Sequence, residues 1–121
     1  MLNETLPLYK AIKDLRSYVY DVIVKLPNYM KHPLGKMMCE EMFLAVRYLA
    51  ASLAPEMSKE DRVSSINSLL FEMDVLLDQI SFLVEKRAIS LKQSAVVVEK
   101  VSKIQKQLGG LRKHLRGVSQ V

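Results

Sequence analysis

Apolar residues recur along this chain with a helical period from Pro7 to Arg116. The clearest run is the last. Val97, Val101, Ile104, Leu108, Leu111 and Leu115 follow one another at alternating steps of four and three. At 100° per residue these six side chains fall within an arc of about 80°, one stripe of a helix. An earlier seam of the same kind is Leu8, Ile12, Leu15, Val19, Val22 and Leu26. A third runs through Val63, Ile66, Leu69, Leu70, Met73, Leu76, Leu77, Ile80, Leu83 and Val84. Between these lies a segment that is apolar nearly all round, Leu34 to Leu53, with only Lys36, Glu40, Glu41 and Arg47 charged. A single bundle needs one buried stripe per helix, so the surplus here predicts subunit contacts. No stretch alternates with the period of two that a half-buried strand requires.

Punctuation between the seams sets the expected boundaries. Pro7 suits a first helical turn because it lacks the N–H that would be unpaired there. Pro27 and Pro33 bracket a connection, Asn28 to Pro33, and Pro55 ends the second helix. Ser58, with Glu60 and Asp61 behind it, caps the third helix. Ser90 with Gln93 three residues on is a capping box that starts the fourth. The spacing therefore predicts helices over about 7–26, 34–53, 59–88 and 91–116 in a single domain spanning 1–121. With short connections these make an all-α, antiparallel up-down four-helix bundle.

Charge changes the picture at one place. From Leu91 to the end there are seven Lys/Arg and one acid, Glu99, against an overall net of +5, so the whole positive excess sits on the last helix. Lys92, Lys103, Lys106, Lys113 and Arg116 project away from its seam, while Lys100 and Arg112 flank it. A face selected for solubility alone mixes signs, so this strip points to phosphate or an acidic partner. Lys100, Lys103, Lys106, Lys113 and Arg116 are the first candidates for nucleic-acid contact. Lys10, Lys13, Arg16, Lys31 and His32 form the second set. Gly109 and Gly110 interrupt the same helix on its outer side, at a cost of about 1 kcal/mol each relative to Ala. Their missing side chains would permit close approach of a subunit or partner backbone.

Catalytic chemistry is not visible. The histidines, His32 and His114, lack a glutamate three residues before them, so the di-metal pattern of carboxylate bundles is absent. One cysteine and two distant histidines give no zinc spacing, and no glycine loop would cradle a phosphate. The expectation is a protein that is not an enzyme, with no catalytic residues, metal or cofactor. No run approaches the roughly 18 apolar residues of a membrane span, Met1–Lys10 is no secretory signal, and Cys39 is alone. The expected setting is cytoplasmic, with no membrane partner.

Several short motifs carry a resemblance over about Leu6 to Leu115. They are Leu6-Pro7-Leu8-Tyr9-Lys10, then Leu26-Pro27 followed by Lys31 to Leu34-Gly35, then Gly109-Gly110 followed by Lys113. In this order they resemble the Avd-like accessory proteins of diversity-generating retroelements, which are similar to four-helix-bundle proteins encoded in ribosomal-RNA intervening sequences. The family often has an aromatic residue after the double glycine, where this chain has Leu111, and Phe before the first inter-helix proline, where it has Leu26. The resemblance implies a ring-like homo-oligomer, a homopentamer, that binds RNA or DNA together with a reverse transcriptase. It implies a non-catalytic role in mutagenic copying of template RNA. Two other readings are an intervening-sequence protein with no polymerase partner and a purely structural oligomerisation module.

Overall fold

A computed structural model describes residues 5–118; residues 1–4 and 119–121, the two ends of the expected domain, lie outside it. Four helices and no strands make up the described chain. They are α1 (Pro7–Val24), α2 (residues 28–53), α3 (Lys59–Glu85) and α4 (Leu91–Val118). Helix α1 packs on α2 and α4, α2 on α3, and α3 on α4, while the Cα atoms of the diagonal pairs stay more than 8 Å apart. The order is that of a four-helix bundle around one core.

The predicted seams are what the core contains. Every member of the α1 seam is buried, and so are Val97, Val101, Ile104, Leu108 and Leu115 of α4, with Leu111 half-buried against them. Ile66, Leu69, Met73, Leu76, Ile80 and Leu83 come from α3, and Met38, Met42, Ala45 and Leu49 from α2. Cross-links between neighbouring helices run in opposite chain order. Arg62 Nε donates to the Ser52 carbonyl at 2.9 Å and Gln79 Nε2 to Glu41 Oε2 at 2.9 Å, joining α3 to α2. Arg112 Nη1 donates to Asn67 Oδ1 at 2.8 Å and Gln105 Nε2 to Asp74 Oδ1 at 2.9 Å, joining α4 to α3.

Both serine caps form. The Asp61 N–H donates to Ser58 Oγ at 3.1 Å, and in the capping box the Gln93 N–H donates to Ser90 Oγ at 3.0 Å while the Ser90 N–H donates to Gln93 Oε1 at 2.8 Å. Pro7 stands in the first turn of α1.

Four boundaries differ from those the sequence predicts: α4 runs on to Val118 instead of ending at 116, and the other three differ for local reasons. Helix α1 stops at Val24 instead of 26. The Lys25 and Leu26 N–H groups turn to carbonyls three residues back, at 3.2 and 3.0 Å. Leu26 precedes Pro27, whose ring disfavours helical backbone at the residue before it. Helix α3 stops at Glu85 instead of 88. There the Arg87 N–H reaches the Val84 carbonyl and the Ala88 N–H the Leu83 carbonyl, both at 2.9 Å, with Arg87 at φ 59°. This is the Schellman ending that normally uses glycine at the left-handed position.

The largest correction concerns the expected connection 28–33, which is helix. Asn28–Met30 forms the first turn, and Lys31–Gly35 widens into a π-helical turn that runs straight into Lys36–Leu53. Pro33 has no N–H for the carbonyl four residues back, and its ring would crowd that carbonyl. The widened turn relieves this, with the Lys36 N–H donating to the Lys31 carbonyl five residues back. The same turn buries Gly35 against α1. A Cβ built on Gly35 would lie 2.8 Å from Ile23 Cγ2, so the absent side chain sets how closely α1 and α2 approach.

Two expected outcomes follow from these contacts. Arg87→Gly should raise stability by about 1 kcal/mol by relieving the left-handed backbone, read as a higher midpoint in urea. Gly35→Ala should lower the midpoint, because overpacking of about 1–3 kcal/mol exceeds the roughly 1 kcal/mol that Ala gains over Gly in a helix. In an Ile23→Ala background the same change should become stabilising. Equal effects in both backgrounds would show that the contact does not limit the helix spacing.

Candidate nucleic-acid interface

The basic strip of α4 lies on the outside of the bundle because the seam opposite it is consumed by the core. Lys103, Lys106, Lys113 and Arg116 are exposed. The strip is not uniform along its length. Lys100 is half-buried, ion-paired with Asp14 of α1, and its ammonium lies 5.7 Å from the Tyr18 ring centroid. Lys100 and Lys103 line a shallow cleft of about 140 Å³ between α1 and α4 that also contains Asp14 and Glu99. At this end the potential is mixed.

The far end is different. Gly109, Arg112, Lys113, Arg116 and Gly117 line a cleft of about 410 Å³, a lining of three cations without a carboxylate. Both glycines of the Gly109-Gly110 pair lie inside an unbroken helix, and a Cβ on either would meet nothing within 4 Å. Their outer-face position leaves the backbone accessible between the cations, and no other helix of the same chain fills the space. Arg112 is held by Asn67, which fixes one cation of the cleft. Arg116 also lines a neighbouring cleft with Lys59 and Glu60 at the start of α3.

The second candidate set does not come together. Lys10 is exposed at the end of the bundle where Leu6–Leu8 share a cleft with Gln107 and Leu111. Lys31 and His32 sit in the π turn beyond the other end of α1, about 20 Å away at 1.5 Å rise per residue. Lys13 and Arg16 are half-buried, with Lys13 Nζ 5.4 Å from the Tyr9 ring centroid and Arg16 Cζ 5.0 Å from that of Phe43. Both line the groove between α1 and α2 together with Tyr20, Met42 and Phe43.

A polar group at the α2–α3 contact escaped the sequence reading. Gln79 is 7% exposed and donates to Glu41. Its Oε1 and the Oε2 of nearby Glu72 are buried without a hydrogen-bond partner. Burial, and then the Glu41 carboxylate, raise the Glu72 pKa above the usual glutamate value. Glu41 and Gln79 stand on helical faces that the seams leave polar, and nothing in their spacing signals that α2 and α3 press together over them. Among the described residues no group of three His, Cys, Asp or Glu side chains is placed to hold a metal ion, and no helix is long and apolar enough to cross a membrane.

The fold class is thus an all-helical four-helix bundle with a basic outer face on its last helix. Comparison with family models, curated proteins and solved structures gives no match.

The Glu72 carboxyl makes a pH prediction with a definite sign. A folded pKa raised above the unfolded one contributes stability that is complete below the unfolded glutamate value, about 4.3, and is lost as pH rises through the folded value. The wild type should therefore lose stability between mildly acidic and neutral pH, and Glu72→Gln should flatten that loss and be the more stable protein at pH 7. Urea midpoints at several pH values check this; parallel profiles for the two proteins would remove Glu72 as the source.

Proposed function

We propose that this chain is a non-catalytic accessory protein of a diversity-generating retroelement. It is an antiparallel up-down bundle that self-associates into a ring. It holds nucleic acid on the basic face of α4 and brings it to the element's reverse transcriptase for mutagenic copying of template RNA. The observation that carries the nucleic-acid part is the position of the charge. The whole positive excess of the chain lies on one helix, and its C-terminal third lines a cleft with Arg112, Lys113 and Arg116 and no carboxylate. The opposite chain order of the cross-links supports the antiparallel arrangement. The motif order from Leu6 to Lys113 supports the polymerase as partner. The Lys100–Asp14 pair favours a second reading, a structural oligomerisation module whose basic face is only solvated.

Binding of labelled RNA and DNA across a salt series separates the two. Phosphate contact requires the logarithm of affinity to fall linearly with the logarithm of salt concentration, by about 0.7–0.9 per phosphate neutralised. Lys103, Lys106 and Lys113 are exposed and outside the core, so changing all three to Glu should leave the helical signal intact. Lys100 is left alone because an acid there would face Asp14. The triple variant should lose affinity for every sequence alike, since backbone contacts carry no base information. Its salt slope should be shallower by roughly 2 to 3. Equal affinity and slope in the folded variant would move nucleic acid off α4 and favour the structural module.

A further inference from the structure

One end of the bundle gathers positive charge and exposed apolar surface together. The cross-links between helices set which residues share a level there. Gln79 bonds Glu41, so six residues further along α3 its last residue, Glu85, stands level with Gly35 of the π turn. Asp14 pairs with Lys100, so ten residues further along α1 its last residue, Val24, stands level with Ser90, the cap of α4. The α1–α2 connection with the first turns of α2, and the α3–α4 connection, therefore form one end face.

Residues 24–37 and 82–92, which build this face, contain six Lys/Arg and one acid, Glu85. Lys25, Lys36, Lys86, Arg87 and Lys92 are exposed, and Lys31 is half-buried. The two most exposed large apolar side chains among the described residues stand here as well. They are Tyr29 at 75% and Leu91 at 76%, on the diagonal helices α2 and α4, bordered by Val24, Met37 and Phe82 at 42–44%. Packing does not require either of them. Leu91 follows the Ser90 cap, where a polar residue would serve as well, and Tyr29 sits in the first turn of α2. Arg87 adds a third sign. It occupies the left-handed position, at φ 59°, that glycine fills at lower cost, so a cation stands at this end in spite of backbone strain.

We propose that this end of the bundle docks on the surface of an anionic lipid bilayer. Tyr29 and Leu91 enter the interfacial layer, where aromatic rings rest at headgroup level and aliphatic chains just below it. The six cations lie against the anionic headgroups. Each Lys or Arg brought near such a surface strengthens binding about fivefold. Nucleic acid would take up the cations but leave the aliphatic Val24, Met37 and Leu91 in water, since these offer no ring on which a base could stack. A bilayer accounts for both the charge and the apolar groups. Among the described residues no helix is long and apolar enough to cross a membrane, but a surface contact needs none, so the expectation of no membrane partner holds for spanning alone. The contact goes beyond the function proposed above and does not depend on it. Arg112, the first cation of the α4 cleft, lies 21 residues beyond Leu91, about 30 Å at 1.5 Å rise per residue. A bundle standing on this end keeps that cleft clear of the bilayer.

Flotation with two kinds of vesicle tests the contact: phosphatidylcholine alone, and phosphatidylcholine with about one third phosphatidylserine as the anionic lipid. The protein should float with the mixed vesicles at low salt, bind them less as salt rises, and stay behind with phosphatidylcholine alone. Lys36→Gln with Lys92→Gln should weaken binding about 25-fold. Tyr29→Ser with Leu91→Ser keeps every charge and should weaken it about tenfold or more through lost apolar burial. All four positions are exposed, so circular dichroism should show an intact bundle. The chain has no tryptophan, so Leu91→Trp supplies a single reporter, whose emission should shift to the blue on the mixed vesicles. A wild type that ignores the mixed vesicles would overturn the docking, as would a reporter that stays in water or a serine pair that binds as tightly as wild type. RNA binding that falls with the glutamine pair while vesicles are ignored would assign this end to nucleic acid instead.

Discussion

Removal of four apolar seams from water holds this bundle together and decides where each remaining side chain points. The fully buried positions form one continuous set, from Ile12 and Leu15 through Met38, Leu49, Leu69 and Leu83 to Ile104 and Leu108. Each helix can turn only the face opposite its seam to the outside. On α4 that face is lysine and arginine, on α3 phenylalanine and aspartate, and on α2 phenylalanine with lysine and arginine. These outer surfaces are therefore fixed by core packing without needing a loop to position them. Polar groups between adjacent helices trim this arrangement. Arg112 on Asn67, Gln105 on Asp74 and Lys100 on Asp14 each tie α4 to a neighbour, and such exposed pairs contribute little to stability individually. Their larger effect is on which cations remain available outside.

That distinction divides the basic strip. Seven positive residues on one helix suggest a uniform field, but Asp14 and Glu99 stand beside the first of them, whereas the cleft lined by Arg112, Lys113 and Arg116 contains no carboxylate. The wheel of a single helix shows that Lys100 flanks the seam; it does not show what α1 places beside that flank. The seams, by contrast, were legible almost residue by residue, because their burial depends on period alone. Ile23, Gly35, Ser52, Gln79 and Ile89 are the buried positions that the stripes omit. Ile23 borders the α1 seam and packs where Gly35 lets α2 come close, and Ser52 satisfies its own hydroxyl by donating to the Leu49 carbonyl at 2.7 Å, so neither signals its burial by polarity.

The connection after α1 was misread for a reason that has physical content. Two prolines six residues apart read as a loop when each is taken as a stop. Pro27 is one, since its own position caps α2 and the Lys31 N–H donates to its carbonyl at 2.9 Å. Pro33 is not, because one extra residue in the turn removes both its steric clash and its missing donor. The widened turn places Gly35 against Ile23. A sequence feature that looked like a break is what sets the α1–α2 spacing, and hence the width of the groove between Arg16, Tyr20 and Phe43.

The excess apolar surface of α2 and α3 follows the same logic of period and offset. On α3 the core stripe and the Phe71–Phe82 stripe stand on opposite sides of one helix, and on α1 the Tyr9–Val24 stripe is turned only part of the way from the seam. An isolated exposed phenylalanine is ordinary on a protein surface. Four aromatic side chains, Tyr20, Phe43, Phe71 and Phe82, each at least 42% exposed, distributed over two faces of opposite charge, are more than solubility would select. The first of these faces is built on α1 and α2, away from the cationic cleft of Arg112, Lys113 and Arg116, while the second begins one turn after Asn67, which holds Arg112. A ring of such subunits would repeat the cationic cleft at regular intervals. Several weak phosphate contacts on one strand would add through effective concentration, which a single copy carrying three or four exposed cations could not achieve alone.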